Sequence, residues 1–219
     1  MHLFLELLSR SFDMVMMTQN NNNNSDDAET IILLKNWAKD TPNIGEKIRL
    51  YNKIIKIDPH NANAFDNLGN IYASFDENRA KWCWGKSAQI YQNEIEIYKC
   101  KTTSYFKELG NPKLPTIEKD DMLFEIGQCF YSLGAVCDRL DRHSQASESY
   151  KKALEMVPTQ VHCLYNIAIA LYNDGKPEES KKYLVEFITK ESSYQAHYCL
   201  GLIYHEENFG YWFRRHRWS

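Results

Sequence analysis

The feature that most constrains this chain is the recurrence of one small step. Leu133-Gly134 is followed by Ile167-Ala168 and then by Leu200-Gly201, at a period of about 34 residues. Leu68-Gly69 lies upstream, with Tyr72 three residues past the glycine, as Tyr204 lies three past Gly201. A period longer than a helix and shorter than a domain belongs to units that bury their apolar face by stacking on neighbours. The fold must therefore set a large apolar residue beside a small one once in every unit.

The rest of the pattern is helical. Apolar residues recur at three- and four-residue spacing, and the alternation of a strand is nearly absent. The breakers are few: Asp40–Asn43 (DTPN), Asp58–Asn61 (DPHN), Gly110–Pro115 (GNPKLP), Pro158 and Asn173–Pro177 (NDGKP). Segments of about 12 to 20 residues between short turns predict an all-α chain of antiparallel helical hairpins.

Charge narrows the function classes. The 219 residues carry 26 basic and 29 acidic side chains, a net charge of −3, which argues against nucleic acid as a partner of the whole surface. Six scattered cysteines, none in a CxxC pair, point to free thiols in a reducing compartment, expected to be the cytoplasm with the nucleus as the alternative. The opening MHLFLELLSRSFDMVMM is broken by Glu6, Arg10 and Asp13, so stable membrane insertion is not expected. An amphipathic surface helix and a disordered or loosely docked leader both stay open for it. The asparagine run Asn20–Asn24 reads as a linker, which places a leader at 1–27.

The unit Gly127–Gln160 carries the fullest pattern: Phe130, Leu133, Gly134, Cys137, Ala146, Tyr150, Ala153 and Pro158. It resembles the tetratricopeptide repeat, which has an aromatic, Leu-Gly, Tyr, then Ala, an aromatic, Ala and Pro over about 34 residues; here Cys137 replaces the tyrosine. Gly134 and Ala146 are expected where the two helices of a hairpin touch, Phe130 and Tyr150 in the wider gaps beside them, and Pro158 at the stop of the second helix.

Other units match in part. Ala28–Asn61 keeps Leu34, Trp37, Tyr51, Ile54 and Pro59, but puts Lys35 where a small residue is expected. Leu68 and Leu133 are too far apart for one repeat and slightly too close for two. That spacing predicts one elongated hairpin at about 78–140, with helices over about 78–109 and 116–140. Val161–Ser193 has Ser180 for alanine and no terminal proline, and a last unit starts near Tyr194. The resemblance covers 28–207 and leaves a basic-aromatic tail at 208–219. A cap over the open end of the stack, a membrane- or nucleic-acid-binding stretch, and a chain end that is truncated or not native are all open readings of that tail.

The resemblance implies a right-handed solenoid whose first helices line a concave, peptide-binding groove. By family position, Tyr131, Tyr165 and Tyr198 share one groove-facing site in consecutive repeats, and Tyr172, His162, His205, Asn70, Asn36 and Asp66 also point inward. The tyrosines either grip an extended peptide or pack between neighbouring helices. Some members clamp an acidic C-terminus with lysine, arginine and asparagine. Here Asn36 and Asn70, and Asn67 and Asn166, hold clamp-like positions, but Ile32, Asp66, Tyr131 and Tyr165 stand where the lysines belong, so that clamp is not expected.

No catalytic residue, metal or cofactor is expected. His162-Cys163 and His197 with Cys199 sit one or two residues apart on a helix and point in different directions, and no Cys–His nucleophile is supported. Trp82 and Trp84 read as core or hairpin-contact residues. The expected function is a non-catalytic adaptor that binds a protein or peptide in its groove. The alternative is an assembly subunit docking through the elongated hairpin, and a third reading is an enzyme with an unrecognised site.

Overall fold

The computed structural model describes residues 24–108 and 116–216, with side chains placed over 26–100 and 120–205. Most of the leader, the end of the basic-aromatic tail and the loop connecting the long hairpin fall outside the described residues. The described residues contain helices and no strand. The chain divides into two compact units, Met1–Pro59 and His60–Ser219.

The first unit is a helical hairpin of α1 (Asn24–Asp40) and α2 (Ile44–Ile57). α1 begins inside the stretch expected to be leader, because Asp26 and Asp27 in its first turn face the positive end of the helix dipole. Asn43 caps α2, its side chain accepting from the Glu46 N–H at 3.0 Å. The hairpin closes over Leu34, Ala38, Leu50, Tyr51 and Ile54. Lys35, in the place where a small residue was expected, is half-buried; loss of hydration pushes its ammonium below the usual lysine range, while the Asp58 carboxylate pulls it back.

The second unit contains α3 (Ala62–Tyr72), α4 (Glu77–Glu108), α5 (Thr116–Arg139), α6 (His143–Met156), α7 (His162–Asn173), α8 (Pro177–Lys190) and α9 (Tyr194–His216). Each helix packs mainly on the ones before and after it in the chain, the nearest-neighbour order of a repeat protein. α4 has 32 residues and α5 has 24. At about 1.5 Å per residue these are helices of roughly 48 and 36 Å.

The hairpins close on a repeated device, an aromatic ring laid on a glycine. A Cβ added to Gly134 would stand 2.8 Å from the Tyr150 ring, and one added to Gly69 would run into Trp84. Ala146 and Ala153 beside Tyr150 are fully buried. Ser180, which stands in the alanine position of the next hairpin, is also fully buried, and its hydroxyl donates to the Ala168 carbonyl at 2.7 Å. Ser87 does the same to Ala62 at 2.9 Å. A buried hydroxyl is tolerated at a helix crossing when it finds a partner.

Two turns share a geometry. Asp141 (φ 56°) follows α5 and Gly175 (φ 75°) follows α7. In each the next residue's N–H closes the helix end: Arg142 to the Cys137 carbonyl and Lys176 to the Leu171 carbonyl, both at 2.9 Å. Glycine adopts this left-handed conformation freely; aspartate does so at a cost. Asp141→Gly is expected to stabilise the protein by about 1 kcal/mol, seen as a higher denaturation midpoint. Gly134→Leu is expected to cost roughly 1–3 kcal/mol, because Tyr150 has nowhere to go. An unchanged midpoint in urea would count against the crossing.

Candidate functional site

The candidate site follows the first helix of successive hairpins in the second unit. Tyr131 on α5, Tyr165 on α7 and Tyr198 on α9 recur at the repeat period. Tyr131 and Tyr165 are half-buried, and Tyr198 is 57% exposed. Each of the first two reaches forward to the next hairpin. Asn166 donates to the Tyr131 hydroxyl at 3.0 Å, and the Tyr165 hydroxyl lies 3.9 Å from the Cys199 sulfur. The rings are seated as well: Tyr131 stands edge-on to Tyr150 at 5.5 Å, and Tyr165 is tilted on Phe187 at 5.6 Å. Burial, with the Cys199 contact adding to it, raises the Tyr165 hydroxyl above the usual tyrosine range. Tyr131 and Tyr165 therefore join neighbouring repeats through their tips, while part of each ring stays accessible.

The other expected site residues are scattered around this row. Asn70, on α3, is exposed and accepts from the Trp84 indole N–H at 3.2 Å. Tyr172 is half-buried and lines a cavity of about 30 Å³ with Ile169, Leu184, Cys199 and Leu202. That space holds about one water and is far below the size of a small-molecule site. His162 is exposed beside Phe187, with Nδ1 3.7 Å from the Glu191 carboxylate. His205 is exposed on α9, and Asn36 is exposed on α1 in the other unit.

A polar network at the α3, α5 and α6 contact was missing from the sequence reading. Arg139, at the end of α5, binds the Asp66 carboxylate of α3 at 2.7 Å. Asp138 next to it takes a contact from His143 Nδ1 at 3.2 Å and a hydrogen bond from Tyr150. Burial raises both carboxyls above the usual range; Arg139 opposes the shift at Asp66, and His143 and Tyr150 oppose it at Asp138. Tyr150 is itself held well above the usual range, by burial and then by the Asp138 charge. Asp66 and Arg139 are 73 residues apart, so no local signal links them. The sequence placed Asp66 on the groove but gave it no partner.

The two tryptophans divide the expected roles: Trp84 is buried in the core against Gly69, and Trp82, 59% exposed, makes a hairpin contact, edge-on to Phe65 of α3 at 5.9 Å with Lys86 over its ring. Two residues apart on a helix is nearly opposite faces, so both could not enter the core. Gly201 matches the repeat position of Gly134, but an added Cβ there meets nothing within 4 Å among the described residues, and α9 runs on as one helix to His216.

All six cysteines are free. Burial pushes Cys83 and Cys163 to about 11 and Cys129 to about 12, with Glu94 adding to the last, so these three are thiols rather than thiolates at neutral pH. Among the described residues there is no group of three or more His, Cys, Asp or Glu side chains arranged to hold a metal ion. Among them also no helix is long and apolar enough to cross a membrane.

Stacked helical hairpins with glycine–aromatic crossings define a helical-repeat protein. Residues 127–160 match the tetratricopeptide repeat family model. No curated protein matches the chain. Among solved structures it is similar to MamA, at 24% identity over 75% of this chain and 93% of that one, with a TM-score of 0.29. It is similar to YrrB, described as a TPR protein with an unusual peptide-binding site, at 21% identity over 72% and 84%, with a TM-score of 0.36. PilF of Pseudomonas aeruginosa is 18% identical over 88% and 93%, with a TM-score of 0.37.

The raised Asp66 carboxyl has a testable sign. A carboxyl with a folded-state value above its unfolded one binds protons more readily in the folded state, so its contribution to stability is present at low pH and falls as the pH rises from the ordinary value of 3.8 upward. Asp66→Asn removes that slope. The variant's melting temperature relative to the wild type is therefore expected to rise between pH 3.5 and pH 6.5; a difference that shrinks or stays flat would refute the assignment.

Proposed function

We propose that the chain is a non-catalytic adaptor of the cytoplasm or nucleus that binds an extended peptide along the first-helix face of its second unit. The observation that supports this reading is the tyrosine row, in which the Tyr131 and Tyr165 hydroxyls are tied to the following repeat. Rings fixed in this way lose little conformational freedom when a partner lies on them, and rigid aromatics are the residues that most often dominate an interface. Asn70 on α3 adds an exposed amide, and His162 adds an imidazole that shares the Phe187 ring with Tyr165. The arrangement offers apolar area and hydrogen-bonding groups, with Asp66 and Asp138 already partnered, so a neutral segment fits it better than an acidic tail.

Peptides selected from a random display library on the full chain provide the test. Tyr165→Ala is expected to weaken a selected peptide by about 2 kcal/mol, roughly thirtyfold in Kd, and Val185→Ala, on an exposed part of α8, to leave it unchanged. Loss of melting temperature without loss of affinity would make Tyr165 a packing residue and sink the groove reading. A second reading, an assembly subunit, has its own observation: Ile97 and Phe124 are exposed large apolar residues on the long α4–α5 hairpin. Partners lost with Ile97→Glu but kept with Tyr165→Ala would favour it.

A further inference from the structure

The helices that carry the tyrosine row share a property that the helices between them lack. Ile126–Cys137 of α5, Met156–Asn173 up to the end of α7, and Ser192–His205 of α9 contain no Asp, Glu, Lys or Arg. The second helices between them, α6 and α8, carry four and six such residues. Three carboxylates at the ends of the uncharged stretches, Asp138, Asp174 and Glu191, stand against His143, Lys176 and His162 at 3.2, 2.7 and 3.7 Å. An ionised side chain laid on this row would lose part of its water and gain no counter-charge. Its occupant is therefore uncharged where it meets the rings.

The row is also built from helices alone. Their backbone groups bond within each helix, so no sheet edge is present to pair the N–H groups of an extended segment. A segment lying on the rings must keep its amides in water or have none, and proline has none. The spacing agrees. Asn166 of α7 reaches the Tyr131 hydroxyl, and the Tyr165 hydroxyl comes to Cys199 of α9. α5, α7 and α9 thus stand side by side, which for packed helices means about 8–10 Å between axes. A polyproline II segment turns once in three residues at ~3.1 Å each, so it presents the same edge about every 9 Å.

We infer that the tyrosine row takes a proline-rich segment in the polyproline II conformation, with one turn of the segment on each of Tyr131, Tyr165 and Tyr198. This rests on the groove reading above and names its ligand. Such a segment is extended before it binds, and an aromatic-lined surface receives it with little loss of entropy. Rings whose hydroxyls are already tied add rigidity from the other side of the contact.

Fluorescence anisotropy of a labelled oligoproline of about twelve residues, long enough for three such turns, titrated with the full chain, tests it. A glycine-serine peptide of equal length is expected to bind about tenfold more weakly, or worse, because it is not preformed. Raising the salt concentration is expected to leave the oligoproline affinity unchanged, since no charge is engaged. Tyr165→Ala and Tyr198→Ala are each expected to raise its Kd about tenfold. Tyr198 is 57% exposed, so its variant is expected to keep the wild-type melting curve, which separates lost binding from lost folding. Oligoproline that binds no better than the glycine-serine peptide overturns the inference, as does binding that survives Tyr198→Ala or falls steeply with salt. Proline-free peptides that bind tightly and depend on Tyr165 would overturn it and leave the groove reading standing. If no peptide depends on Tyr165, both fall.

Discussion

Everything in the second unit rests on how closely two helices of a hairpin approach. That approach is set where a ring packs against a residue without a side chain, Tyr150 on Gly134 and Trp84 on Gly69. Removing a ring of this size from water is worth about 1.5–3 kcal/mol, but only if the partner helix offers no Cβ to hold it away. The fully buried Ala146 and Ala153 act in the same sense beside Tyr150. Once the hairpin distance is fixed, the apolar residues on its outer side fall in line with those of the next hairpin, and stacking follows.

Polar groups then choose among the registers that apolar packing alone would tolerate. The Asn166–Tyr131 bond, the Asp66–Arg139 pair and the two buried serine hydroxyls each tie one helix to a specific atom of another. None of them is worth much by itself, since a net hydrogen bond contributes about 1 kcal/mol. Sliding a helix by one residue would leave these groups buried without partners, and that penalty is larger than the bond.

What the sequence discloses depends on how local the constraint is. Gly134, Ala146, Tyr150 and Ala153 lie within one repeat unit, and their spacing alone places them at the crossing. The helical class follows from the same periodicity. Trp82 and Trp84 show the limit: the pattern marks both as apolar, and only the turn of the helix decides that Trp84 goes in and Trp82 stays out. The Asp66–Arg139 pair is out of reach because the long hairpin separates its members in sequence while the fold joins them. Gly201 is misleading for another reason. The residue matches the repeat, but the segment after it continues α9 rather than folding back, so among the described residues no ring covers the glycine. The tyrosine row is legible as a row, yet whether a hydroxyl meets a peptide or the next helix depends on distances of about an ångström, which no spacing rule resolves.

The long hairpin breaks the sequence period without breaking the stack, because α4 and α5 lengthen at their far ends only. Near the stack, Trp84 and Ala88 on α4 and Phe130 and Leu133 on α5 share one core. The hairpin is thus an arm whose length is independent of the body that carries it. Adding or removing a turn of each helix at the tip would move the tip by about 5.4 Å and leave every repeat contact in place. Natural variation in such an arm can change how far the protein reaches while the row of tyrosines on the repeats stays the same.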